Sequence, residues 1–275
     1  MLTLYFDTNV FDALYRRGPG CPEGLELQRA VKAGRLRIAI SLDVIDETAE
    51  AAVSDWPMAL GRLNLIKDLY DARFEILPAG TLLRNGIVET LNDAKASSPF
   101  TDEPMDIGVL CDLLSERLTE FTTLVEEQRA EKARYAETLR ECRNDVRTGL
   151  AEMEWPKVRF AHHLEEADWI TQAAVDHFFG PGALPKEILR KLLSSRPVRM
   201  HRDVLFSMYY AQSVEGRAPK DSDLVDVHHA ITASAAHGIV TEDGSLRGVL
   251  RRATVSGFQV LSLDELSASL RLSTN

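Results

Sequence analysis

The sequence predicts an α/β protein built on a parallel sheet flanked by helices, with a large all-helical insertion, and three observations carry that prediction. Short apolar runs and amphipathic segments alternate through the first 80 residues. The alternation stops between about residues 80 and 200, where no strand-like run occurs, and it returns from about 200 to the end. Strand and helix in alternation is the pattern of crossover helices covering a parallel sheet. The predicted organisation is a core formed by residues 1–95 and 200–275, with a helical insertion at 96–199.

Each element has a local reason. Residues 1–6 form an apolar run suited to a buried strand, and Asp7-Thr8-Asn9 supplies the short polar side chains of a strand end and a helix N-cap. Gly18-Pro19-Gly20 breaks the next segment, Leu25 to Ala33 resumes helical spacing, and Gly34 ends it before a second strand at Leu36 to Ile40, closed by Ser41. Asp43 to Val53 and Leu60 to Tyr70 have helical period, and Phe74 to Leu77 reads as a third strand stopped by Pro78. Asp106 to Leu114 reads as helical, and Glu116 to Arg147 lacks Pro and Gly and is rich in Glu and Arg that can pair at i,i+4, so long helices are expected. Trp155-Pro156 interrupts them, Trp169 to Phe179 is helical again, and Gly180-Pro181-Gly182 is a turn. Val204 to Glu215 and a segment from Asp221 to about His237 read as helices, and Gly238 to Thr241 as a very short buried strand. A helix to about Arg251, a strand from Phe258 to Leu263 and a final helix from Asp264 complete the chain.

Composition narrows the function. Of the 275 residues, 45% are apolar and 27% charged, the balance of a soluble globular protein. The net charge of -10, from 42 acids against 32 Lys and Arg, argues against a general basic surface that wraps nucleic acid. Three cysteines without CxxC spacing suggest neither a disulfide framework nor a zinc module, and a reducing cytoplasm fits. No basic leader opens the chain, and no apolar run approaches the roughly 18 residues of a membrane span, so neither secretion nor a membrane partner is expected.

Four acids stand out by position. Asp7 follows the first strand, Glu47 lies about two helical turns beyond the second, Asp226 is in the first turns of a helix, and Asp243 comes two residues after Thr241 at the end of a later strand. The carboxyl ends of parallel strands form the ligand crevice of such sheets. Four carboxylates converging there raise one another's pKa and call for a positive partner, and oxygen ligands favour Mg2+ or Mn2+ over zinc. Such an ion can activate water and stabilise the oxyanions of an in-line phosphoryl displacement. Each acid also has a structural alternative: Asp7 as a helix cap, Asp226 in a favourable first turn, Asp243 opening a turn with Gly244.

These residues carry a resemblance. Leu4-Tyr5-Phe6-Asp7-Thr8-Asn9, Ile40-Ser41 with Glu47, and Asp223-Leu224-Val225-Asp226 running through Ala230 to Gly238-Ile239-Val240-Thr241-Glu242-Asp243 resemble the motifs of PIN-domain nucleases. The resemblance covers about residues 1–80 and 200–265 and excludes the central helical stretch. It implies a Rossmann-like parallel sheet and a metal-dependent ribonuclease, an endonuclease leaving 3'-hydroxyl and 5'-phosphate ends. Carried over, Asp7, Glu47, Asp226 and Asp243 would be the catalytic acids binding Mg2+ or Mn2+, with Asp223 as an auxiliary ligand or a helix cap. Asn9, Ser41 and Thr241 would be polar supports, and Asp43 and Glu50 rivals to Glu47. RNA is the implied substrate, and an antitoxin protein the implied partner where such nucleases are toxins.

His228-His229 and His162-His163 are adjacent pairs that point about 100 degrees apart on a helix, and HExxH is absent, which disfavours a zinc hydrolase. Structural histidine is the expected fate of both pairs. Lys186, Arg190, Lys191, Arg196 and Arg199, with His201 and Arg202, form the one basic stretch, suited either to an RNA backbone or to pairing with the acidic central helices. Two alternatives to the nuclease stay open: a PIN-like scaffold that binds RNA or protein without cutting, and a haloacid-dehalogenase-type phosphatase, which expects an Asp where this chain has Asn9. The inserted helices are a lid, a substrate-selecting surface or a homodimer contact.

Overall fold

The computed structural model describes residues 1–18, 20–116, 126, 130, 134, 137, 160–213, 215–218, 220 and 222–272. The helix expected from Glu116 to Arg147, apart from Glu116 and four isolated helical positions, and the break at Trp155-Pro156 lie outside the described residues. In chain order the elements are β1 (Leu2–Phe6), α1 (Thr8–Arg17), α2 (Pro22–Lys32), β2 (Leu36–Ser41), α3 (Leu42–Glu50), α4 (Trp56–Leu69), β3 (Glu75–Ile76), α5 (Ala79–Leu91) and α6 (Ile107–Glu116). They continue with α7 (Phe160–Glu165), α8 (Asp168–Phe179), α9 (Lys186–Leu192), α10 (Arg196–Ser213), α11 (Asp223–Ala233), β4 (Gly238–Val240), α12 (Gly244–Leu250), β5 (Gln259–Leu261) and α13 (Leu263–Leu272).

The five strands form one sheet in the order β3-β2-β1-β4-β5, every neighbouring pair parallel. Leu4, Tyr5, Phe6, Ile38 and Ile40 are buried in the central strands, as expected where helices cover a parallel sheet. Helices α5, α10 and α11 pack on one another, with α11 against β1 and β4, while α1, α2, α3, α4 and α13 form a second connected set. The chain leaves β1 toward β2 and β3 and later returns to the other side of β1 for β4. That reversal puts a topological switch point between β1 and β4, the place where such sheets leave a crevice at their carboxyl ends.

Several elements differ from the expectation. β3 keeps only two residues, because Ala72–Phe74 is wound as a 3-10 turn, and α5 follows where the sequence reading placed no helix. α10 begins at Arg196, eight residues before Val204, since Pro197 in a first helical turn gives up no intrahelical hydrogen bond. Residues 100–107 lie against the core: Phe100 bridges to Ile76, Met105 N–H donates to Glu75 at 2.8 Å, and Ile107 is buried in the same cluster as the sheet. Gly238 is needed for close approach, because a Cβ there would sit 2.3 Å from the Gln259 carbonyl on β5. No helix among the described residues is long and apolar enough to cross a membrane.

Candidate metal centre

Asp7 stands at the carboxyl end of β1, where its backbone N–H donates to Val240 at 3.1 Å, and its side chain is only 4% exposed. Oδ2 accepts from the Asn9 amide at 2.6 Å and from the Thr241 hydroxyl at 2.7 Å. Asn9 in turn accepts from Glu242 N–H at 2.7 Å, so it ties the end of β1 to the end of β4. Asp7 occupies the N-cap place of α1 without accepting a capping hydrogen bond. The polar groups around it orient the carboxylate and leave Oδ1 turned toward His229 Nε2, 3.5 Å away.

α3 starts directly after β2, and its second turn carries Glu47 to the same spot. Glu47 Oε2 accepts from Thr8 Oγ1 at 2.5 Å and lies 3.0 Å from His229 Nε2. Asp226 and His229 come from α11, three residues apart and therefore on neighbouring positions of one helix face. Asp226 is 8% exposed. Burial, followed by the charges of Asp243 and Asp7, pushes its pKa up to about 7. Burial also raises Asp7, against the opposing pull of His229 and Thr241.

His229 is 2% exposed, which disfavours its charged form, yet Asp7, Glu47 and Asp43 outweigh burial and hold its pKa up to about 10. Its Nδ1 meets the Tyr5 hydroxyl at 2.6 Å, Tyr5 meets Ser41 Oγ at 2.9 Å, and Ser41 donates to Asp43 Oδ2 at 3.2 Å. Burial, with Asp43 next, keeps the Tyr5 hydroxyl protonated. Ligand atoms of Asp7, Glu47 and His229 all lie within 4.8 Å of one another. Two carboxylates and an imidazole at that separation suit a divalent cation.

Asp243 is used differently from Asp7. It caps α12, with Oδ1 accepting from Ser245 N–H at 2.6 Å and Leu246 N–H at 2.9 Å, while its charge still acts on Asp226. Asp223 is fully buried and directed away, into a pair with Arg217 and hydrogen bonds from Gln212 at 2.8 Å and Lys220 N–H at 3.0 Å. Each three-residue step along a helix turns the side chain by roughly 60 degrees. Two such steps separate Asp223 from His229 and leave Asp223 facing α10. The sequence makes His229 a structural histidine and gives Tyr5 and Thr8 no part in the site. The first was detectable as a histidine three residues after Asp226, whereas Tyr5 reads only as part of an apolar strand.

The basic stretch does not gather here. Arg196 donates to the Ala236 carbonyl at 3.2 Å, just before β4 begins, and Lys191 pairs with Asp93 beyond the end of α5 at 2.7 Å. Both positions lie at the amino edge of the sheet, opposite Asp7. Arg199 donates to the Leu193 carbonyl at 2.7 Å, Lys186 approaches Asp168 at 3.9 Å, and Arg190 is exposed on α9. The larger cavity, about 570 Å3, is lined by Lys191 and Arg196 at that far edge and by none of the clustered acids. A smaller one, about 380 Å3, adjoins the site through His228, whose Nδ1 is 3.7 Å from Asp43, and includes Trp169, Tyr209 and His201. Compared with protein-family models, curated proteins and solved structures, the chain gives no match.

Proposed function

We propose that the protein is a metal-dependent endoribonuclease, with Asp7, Glu47, Asp226 and Asp243 as its acidic centre and Mg2+ or Mn2+ as its cofactor. The observation that carries this reading is the meeting of Asp7, Glu47 and His229 at the carboxyl end of β1, with Asp226 close enough to Asp7 and Asp243 for their charges to act on it. The choice of RNA rests on the resemblance to PIN-domain nucleases. A divalent ion held there supplies a lowered pKa for water and neutralises charge on the scissile phosphate. The residues of the chain do the positioning. Asn9 and Thr241 fix the Asp7 carboxylate, Thr8 fixes Glu47, and Asp243 joins the centre from the N-terminus of α12.

The test is Asp7→Asn assayed on single-stranded RNA with Mg2+ and with Mn2+. Cleavage is expected to fall about a hundred- to a thousandfold, as when a preorganised electrostatic group is lost, with an unchanged circular-dichroism spectrum. Undiminished cleavage by the variant, or cleavage by the native protein in excess EDTA, would remove the assignment. If Mn2+ does not bind in calorimetry, the scaffold that binds without cutting becomes the better reading.

A further inference from the structure

The hydrogen-bonded chain behind His229 has one consistent direction. Asp43, as a carboxylate, can only accept, and Ser41 donates to it at 3.2 Å. A serine hydroxyl has a single proton, so at 2.9 Å Ser41 must accept from Tyr5. The single proton of Tyr5 is thereby used, and at 2.6 Å the tyrosine oxygen must accept from His229 Nδ1. The imidazole therefore carries a proton on Nδ1 and presents Nε2 to Glu47 Oε2 at 3.0 Å and Asp7 Oδ1 at 3.5 Å. Histidines that ligate metals are commonly held in this way, the far ring N–H donating to a fixed acceptor. Independently, Asp226, 8% exposed, lies close enough to Asp7, Asp243 and His229 for their charges to act on it.

We propose that His229 is a nitrogen ligand of the divalent ion and that it makes the site prefer Mn2+ to Mg2+, with Tyr5, Ser41 and Asp43 as positioning residues. The inference rests on the metallonuclease reading above. Its chemistry is ligand softness: imidazole suits first-row transition ions, whereas Mg2+ is held by oxygen ligands and retains several waters.

The experiment combines calorimetric titration with Mn2+ and with Mg2+ and pulsed electron paramagnetic resonance of the Mn2+ form. The native protein should bind Mn2+ at least about tenfold more tightly than Mg2+ and show nitrogen modulation from a directly bound imidazole. His229→Gln should lose the modulation and most of the preference, and His228→Gln should keep both. Tyr5→Phe should keep the modulation while Mn2+ affinity falls about 10–100-fold and Mg2+ affinity changes little. That split would not arise from a general loss of structure, and it decides the matter if His229→Gln does not fold. Mn2+ bound without nitrogen modulation overturns the ligand assignment and leaves the carboxylate site standing. Binding of neither ion overturns the metallonuclease reading itself.

Discussion

Asp226 carries the charge that the fold accommodates least well. Its pKa of about 7 in the folded protein stands well above the unfolded value of 3.8, so between those limits the folded state holds a proton that the unfolded state has released. Metal-free stability should therefore fall as pH rises from about 4 to 7. Three units at ~1.4 kcal/mol each set the ceiling, and coupling to Asp7 and Asp243 brings the expected loss to about 1–3 kcal/mol. Thermal melts in EDTA should show this slope in the native chain and a flatter one in Asp226→Asn; identical slopes would contradict the assignment. His201 acts oppositely: burial, with His228 and His177 beside it, lowers its pKa to about 4. The unfolded state then binds the extra proton, and this contribution rises with pH between about 4 and 6.5, so each group must be read through its own variant. At this scale the positions of the acids were legible because a strand end is legible. The role of His229 was not, because nothing local separates a buried core histidine from one that faces carboxylates.

At the scale of elements, α11 shows how a helix can serve two purposes. Its first turn is anchored by Asp223 to Arg217 and Gln212 and also carries Asp226, and its second turn presents His229 to Tyr5 of β1. Asp223→Ala leaves Arg217, 17% exposed, without its partner and should cost about 2–4 kcal/mol. Denaturant melts would measure that loss, while Mn2+ affinity should stay within about twofold; the reverse result would make Asp223 a ligand after all. Gly238→Ala should destabilise by about 1–3 kcal/mol or more, because its Cβ meets rigid backbone of β5 rather than a side chain that can rotate away. β1, β2 and the helices after them were readable from apolar runs and period. β3 is shorter than its apolar run and α5 carries no clear helical stripe: hydropathy does not distinguish a two-residue strand preceded by a 3-10 turn from a longer one, and α5 has apolar and small residues around much of its circumference.

For the whole molecule, the net charge of -10 and the placement of the basic residues point the same way. Lys191 and Arg196 sit at the sheet edge opposite the acids and have partners there. Lys191→Ala and Arg196→Ala should leave RNA cleavage within about twofold, and the salt dependence of RNA binding should be shallow because few cations contact phosphate. A tenfold loss in either variant would instead route the substrate across the amino edge.

The sequence by itself determined the parallel α/β alternation and placed acids at strand ends and helix starts, because period, turn residues and apolar runs are local properties of the chain. Only the tertiary structure decided which of those acids share one volume. Tyr5 meets His229 across 224 positions and Glu47 meets it across 182, and such meetings depend on the strand order and on the rotation of α11 about its axis. Neither is encoded in any single segment, so Asp223 and His229, each three residues from Asp226 on the same helix, ended with different partners.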